Sequence, residues 1–72
     1  MTQTEKLLAR IRNNPRNVSL NDFEALINAY GYIEEGSKHP HAIIGACTLI
    51  YARENPVRAC YVKDLLEAVE NI

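Results

Sequence analysis

Two histidines stand two positions apart in the segment Lys38-His39-Pro40-His41, and their imidazoles are the side chains best suited to chemistry. A neutral imidazole accepts a proton near physiological pH, so either histidine could act as a general base or, once protonated, as a general acid. Imidazole also binds transition metals, and alternate strand residues share a face. Two ligands are too few for a metal site, and no carboxylate stands at a convincing position to add a third. The sequence therefore favours a histidine-centred site without a metal, or no site.

Other catalytic patterns are missing from the sequence. It contains no glycine-rich phosphate loop, no Gly-x-Ser-x-Gly elbow and no dinucleotide-binding unit. Cys47 and Cys60 form no Cys-x-x-Cys motif, so two reduced, partly buried thiols are the simpler interpretation, with a disulfide or a metal role as the alternative. We expect no cofactor.

Positive charge is concentrated around the histidines. The whole chain has a net charge of −1, which supplies no global field to attract a polyanion. Between positions 36 and 63, however, Glu54 is the only acid, and it stands against four cations: Lys38, Arg53, Arg58 and Lys63. These four side chains could neutralise phosphate groups beside a histidine site.

The chain length and the apolar runs limit the organisation of the protein. Seventy-two residues suffice for one domain, which we expect to span residues 1–72. No apolar run approaches the roughly 20 residues that cross a bilayer, and residues 1–5 lack the cationic start and apolar stretch of a signal peptide. We therefore expect a cytoplasmic protein with no membrane contact.

Apolar residues at helical spacing predict three helices: one after Thr2 that ends at Asn13-Asn14-Pro15, one from Ser19 to Gly31, and one from about Ala59 to Glu70. Thr2 and Ser19 each stand three residues before an acid, which is the spacing of a helix start. Gly31 is expected to close the second helix in the left-handed conformation.

Three runs of β-branched and aromatic residues predict three short strands: Tyr32-Ile33, Ala42-Ile43-Ile44 and Thr48-Leu49-Ile50-Tyr51. Gly36-Ser37 suits the turn after the first strand, and Gly45-Ala46 suits a two-residue hairpin turn with glycine in its first central position. The element order predicts an α+β fold, in which a three-stranded antiparallel sheet carries the helices on one face.

A turn at Gly45-Ala46 also fixes the register of the hairpin. His41 would pair with Ile50 and His39 with Ala52. Alternation then divides the strands into an apolar face, which should meet the helices, and an open face. The apolar face contains Ala42, Ile44, Cys47, Leu49 and Tyr51, and the open face contains His39, His41, Ile43, Thr48 and Ile50.

The open face has two consequences for function. The histidines should be accessible, because a sheet covered by helices on one side leaves the other side to water or to a partner. Ile43 and Ile50 would be exposed apolar surface, which often marks a protein contact, unless a loop or the first helix covers them.

Four stretches of the chain resemble the HicA toxins, which are mRNA interferases of bacterial and archaeal toxin–antitoxin pairs, also called YcfA-like proteins. Residues 14–18 lead into the helix that ends at 29–32, and Gly36-Ser37-Lys38-His39-Pro40-His41 is similar to the family's glycine, serine, histidine segment. Residues 53–57 resemble the family's strand exit, and residues 61–66 resemble its last helix. The likeness covers residues 4–70.

The resemblance implies a fold like that of a double-stranded RNA-binding domain and a metal-independent endoribonuclease that cleaves mRNA. It also implies a HicB-type antitoxin that masks the site. The family's histidine falls on His39 if Lys38 takes the serine position, or on His41 across an insertion. The sequence departs from the family in the intervening Lys38, in Ala52 before the arginine, and in its weak basic balance.

Three functional hypotheses follow. In the first, His39 is the general base of an endoribonuclease, His41 or water supplies the acid, and Lys38 and Arg53 neutralise the phosphate. In the second, the same cations hold RNA without cleaving it. In the third, Ile43 and Ile50 dock an antitoxin or a second copy of the chain, giving a hetero-oligomer or a homodimer.

Overall fold

The computed structural model describes residues 2–36 and 38–71. The elements in chain order are helices α1 (Gln3–Asn13) and α2 (Leu20–Tyr30), strands β1 (Tyr32–Glu34), β2 (His41–Ile44) and β3 (Cys47–Ile50), and helix α3 (Ala59–Glu70). This order confirms the predicted α+β fold, and α3 has the predicted bounds. Ser37, which belongs to the predicted turn and to the motif, lies outside the described residues.

Side-chain caps begin the first two helices where the sequence predicts. The hydroxyl of Thr2 accepts a hydrogen bond of 3.2 Å from the backbone N–H of Glu5. The hydroxyl of Ser19 accepts one of 3.2 Å from the N–H of Asp22. Each hydroxyl satisfies a backbone donor that has no partner within its helix, which explains why these helices begin there.

Gly31 ends α2, but the predicted left-handed conformation is wrong. Its φ is −167°, which is extended backbone that any residue can adopt. A Cβ at this position would collide with the backbone carbonyl of Ile43 on β2. Glycine is required here because the end of the helix lies directly against the sheet.

The sheet has the order β1-β2-β3, and both strand pairs are antiparallel. The β2–β3 register is the predicted one, from Ile44 opposite Cys47 to His41 opposite Ile50. Gly45 occupies the connecting turn with a φ of +59°, which favours glycine. The edge strand β1 places Glu34 opposite His41.

One face of the sheet carries the helices. Helix α2 packs on β1 and β2, α3 packs on β3, and α1 packs on α2. The core between these layers is apolar and consists of Ile11, Val18, Phe23, Leu26, Ile27, Ala42, Ile44, Tyr51, Val57, Val62, Leu65, Ala68 and Val69. Within the described ranges, no helix is both long enough and apolar enough to span a bilayer.

Candidate functional site

The two histidines lie at the end of the sheet where β2 begins. His41 is the first residue of β2, is half-buried, and lies between Glu34 of β1 and Ile50 of β3. His39 is exposed and precedes the strand by two residues, so its predicted pairing with Ala52 is not part of the ladder. The pairing ends instead at Pro40, whose carbonyl accepts a 3.3 Å hydrogen bond from the N–H of Tyr51.

We call residues 35–40, which connect β1 to β2, the histidine loop. Lys38 and His39 are both exposed at its centre. Gly36 has a φ of +137°, a conformation that side chains disfavour, so it allows the chain to turn directly after β1. The loop therefore exposes a cation and an imidazole at consecutive positions.

A shallow depression of about 220 Å³ lies at the base of this loop and is lined by Glu34, Glu35, Gly36 and His41. Two carboxylates beside an imidazole can accept protons or hold a cationic group. The same two carboxylates would repel a phosphate group that entered the depression. A polyanion would therefore be received at Lys38 and His39 rather than in the depression.

Arg53 lies close to the histidine loop, but carboxylates occupy its guanidinium. Its Nε donates a hydrogen bond of 2.9 Å to Glu24 on α2, and its Nη1 donates one of 2.6 Å to Glu35. The hydrogen bond to Glu35, followed by the one to Glu24, raises the pKa of Arg53 above its ordinary value. Arg53 is thus a bridge between α2 and the histidine loop.

Tyr51 connects this bridge to the core. It is 1% exposed, and its ring meets the ring of Phe23 edge to face, with centroids 4.9 Å apart. Its hydroxyl donates a hydrogen bond of 2.6 Å to Oε2 of Glu24, the same oxygen that Arg53 contacts. Burial, followed by the hydrogen bond to the Glu24 carboxylate, raises the pKa of Tyr51 above its ordinary value.

The charge state of Glu24 is set by these two donors. Partial burial raises the pKa of Glu24, but the hydrogen bonds from Tyr51 and Arg53 and the positive charge of Arg53 outweigh it. The net result is a pKa below the ordinary value. Glu24 therefore stays ionised and holds Arg53 in place.

The remaining predicted cations are not gathered at the histidines. Arg58 donates a hydrogen bond of 3.1 Å to Glu54, which raises its pKa. Lys63 lies on α3, where it lines an apolar groove together with Pro15 and Arg16. Of the four cations, only Lys38 and Arg53 therefore lie beside the histidine loop.

The open face of the sheet consists of Tyr32, Glu34, His41, Ile43, Thr48 and Ile50. The prediction that His39 belongs to this face is wrong, because His39 precedes β2 and is not a strand residue. Ile50 is 58% exposed, as predicted, and Ile43 is half-buried. Tyr32 is 56% exposed, although the sequence predicts only that it lies in a strand and assigns it no face. Alternation places Tyr32 and Ile33 on opposite faces of the sheet, but the pairing of β1 with β2 decides which of them faces outward.

Three residues of the hydrogen-bonded group around Arg53 were not predicted as site residues: Glu24, Glu35 and Tyr51. Their contacts with each other and with Arg53 join residues 18 to 29 positions apart in the chain. No local pattern encodes such pairs. The nearest signal was the hairpin register, which places Tyr51 on the helix side of the sheet.

The cysteines and acids add no further site. Cys47 is half-buried, as predicted, whereas the prediction of partial burial is wrong for Cys60, which is exposed on α3. In the part of the chain that the structure describes, no three His, Cys, Asp or Glu side chains are grouped as metal ligands. No family model, curated protein or solved structure matches this chain.

Proposed function

We propose that this protein is an endoribonuclease, the toxin of a cytoplasmic toxin–antitoxin pair, which cleaves mRNA through a histidine general base without a metal. The observation that carries the proposal is the exposed pair of Lys38 and His39 on the histidine loop. Both precede β2, whose first residue, His41, belongs to the open face of the sheet. The α+β fold with helices on one face is also the fold that the HicA resemblance implies.

In the proposed reaction, His39 removes the proton of a ribose 2′-hydroxyl, and the 2′-oxygen attacks the adjacent phosphorus. The bond from phosphorus to the 5′-oxygen breaks, and this oxygen leaves with a proton from His41 or from water. Lys38 offsets the negative charge that develops on the phosphate. The atoms and electrons of this step balance without an oxidant, a reductant or a metal.

The four cations have unequal parts in this proposal. Lys38 is nearest to the reacting phosphate, and Lys63 contacts the strand further along. Among residues 2–36 and 38–71, neither lysine has an ion pair. Arg53 and Arg58 would have to exchange a carboxylate for a phosphate before they could bind RNA.

The open face is the proposed contact for a HicB-type antitoxin. Tyr32 and Ile50 expose apolar surface there, Ile43 lies between them on β2, and His41 shares the face. An inhibitor that buried this surface would also cover the approach to His39. One partner would then mask both the apolar surface and the chemistry.

The test uses purified protein and end-labelled RNA in the presence of EDTA. We expect the parent to cleave, and His39→Ala to lose roughly a hundredfold or more in rate, which is the usual contribution of a general base. His41→Ala should lose less if water can supply the acid. Thr48→Ala, on the same face, is the matched control and should cleave like the parent.

Two results would overturn the proposal. If His39→Ala cleaved as fast as the parent, His39 would not be the base. If the parent shifted the mobility of RNA without cutting it, the protein would be a binding module with the same fold.

A further inference from the structure

Three segments of the chain meet at Arg53. The guanidinium contacts Glu24 on α2 and Glu35, which is the first residue of the histidine loop, while Arg53 itself follows β3. The contacts lie on the helix side of the sheet, because Glu24 belongs to the helix that covers it. We call the Glu24–Arg53–Glu35 contacts the clasp.

We propose that Arg53 and Glu35 are positioning residues, which hold the start of the histidine loop and so orient Lys38 and His39. This inference rests on the proposed function for its catalytic part. Its structural part concerns the loop alone and can be tested without RNA.

The clasp has one rigid end and one exposed end. Glu24 is fixed by the hydroxyl of Tyr51, which is buried against Phe23, so this end belongs to the core. The side chain of Glu35 is 64% exposed and has no comparable support from the core. The core therefore holds Glu24, Glu24 holds Arg53, and Arg53 holds Glu35 at the start of the loop.

The other end of the histidine loop is held by the same core residue. Pro40 is buried, and its carbonyl accepts the N–H of Tyr51. Lys38 and His39 therefore lie between Glu35 and Pro40, and both of these residues are connected to Tyr51. Because Gly36 follows Glu35 directly and is conformationally permissive, release of Glu35 would loosen the start of the histidine loop.

The size of the effect follows from the exposure of the pair. An exposed ion pair contributes little to global stability, so loss of Glu35 should leave the fold intact. Local opening of the loop has a smaller free energy than global unfolding, so the same contact contributes a larger share of it. Displacement of a catalytic group by about 1 Å can lower a rate by up to roughly a hundredfold.

The experiment compares Glu35→Gln with Glu34→Gln, which removes the same charge from the neighbouring residue that Arg53 does not contact. Amide hydrogen exchange is measured in RNA-free protein. We expect Glu35→Gln to speed exchange at Gly36, Lys38 and His39 by roughly twofold to fivefold. Amides of β2 and the Glu34→Gln protein should exchange like the parent.

Kinetics supply the second readout. Glu35→Gln and Arg53→Gln should each lower kcat by about tenfold with little change in KM, because the base is displaced while Lys38 can still follow the phosphate. The double variant, with both Glu35→Gln and Arg53→Gln, should have the same kcat as Arg53→Gln alone. Arg53→Lys should retain part of the kcat that Arg53→Gln loses.

The outcomes separate the two proposals. Unchanged loop exchange in Glu35→Gln, with an active parent, would overturn the positioning role and leave the nuclease standing. An inactive parent whose loop exchange still depends on Glu35 would overturn the nuclease and retain the clasp.

Discussion

The hydroxyl of Tyr51 donates a 2.6 Å hydrogen bond to Oε2 of Glu24, a residue 27 positions earlier in the chain. This contact joins the end of the hairpin to the helix that covers the sheet. It also begins a polar route from the core to the first residue of the histidine loop, because Arg53 contacts the same oxygen of Glu24 and also contacts Glu35.

Tyr51→Phe should lower the free energy of unfolding by about 1–3 kcal/mol, since a partly buried carboxylate loses a donor while the ring and its packing remain. Urea denaturation followed by circular dichroism measures the change. Tyr32→Phe is the control, because its side chain is exposed, and it should stay within about 0.5 kcal/mol of the parent. Equal losses in the two variants would show that the Tyr51 hydroxyl has no special role.

Glu24 should make the stability of the protein depend on acid pH. Its pKa in the folded state lies below the ordinary value of 4.5. Its contribution is therefore fully present above the pKa of the unfolded chain and is lost as the pH falls through the lower pKa of the folded state.

Glu24→Gln removes that titration. The parent should be the more stable protein at about pH 7, and the difference should shrink as the pH falls below the ordinary pKa of Glu24. Thermal unfolding in a series of buffers measures both profiles. Glu34→Gln serves as the control, because Glu34 is exposed. Parallel profiles for the parent and Glu24→Gln would contradict the role of Glu24.

Much of the fold could be predicted from the sequence because its signals are local. The hydroxyls of Thr2 and Ser19 begin helices, and the turn at Gly45-Ala46 fixes every pair of the hairpin. The exposed position of Ile50 follows from that register.

The clasp could not be predicted, since it depends on how α2 lies over the sheet. Arg53 was predicted from the sequence as one of four cations near the histidines. Only the folded structure shows that Glu24 and Glu35 are its partners. The outward side of Tyr32 depends likewise on the pairing of β1 with β2, which no short turn fixes.

Gly31 shows that a residue type can be correctly placed for the wrong reason. Gly31→Ala should destabilise the protein by about 1–3 kcal/mol, because its new Cβ would press on the carbonyl of Ile43 and separate α2 from β2. Gly45→Asn is the contrast, since nothing surrounds that position and asparagine tolerates positive φ. Denaturation midpoints measure both variants, and a harmless Gly31→Ala would exclude the close approach.

The open face offers the sharpest test of the proposed antitoxin. Ile50→Asp should leave the unfolding free energy within about 1 kcal/mol of the parent, because the side chain is 58% exposed. Binding of the proposed HicB-type antitoxin, measured by calorimetry, should weaken more than about tenfold, since a charge would be buried in the interface. Asn28→Asp adds the same charge at an exposed position of α2, on the opposite side of the sheet, and should bind normally. If Ile50→Asp bound as tightly as Asn28→Asp, the antitoxin would have to dock elsewhere, and masking of His39 would need another explanation.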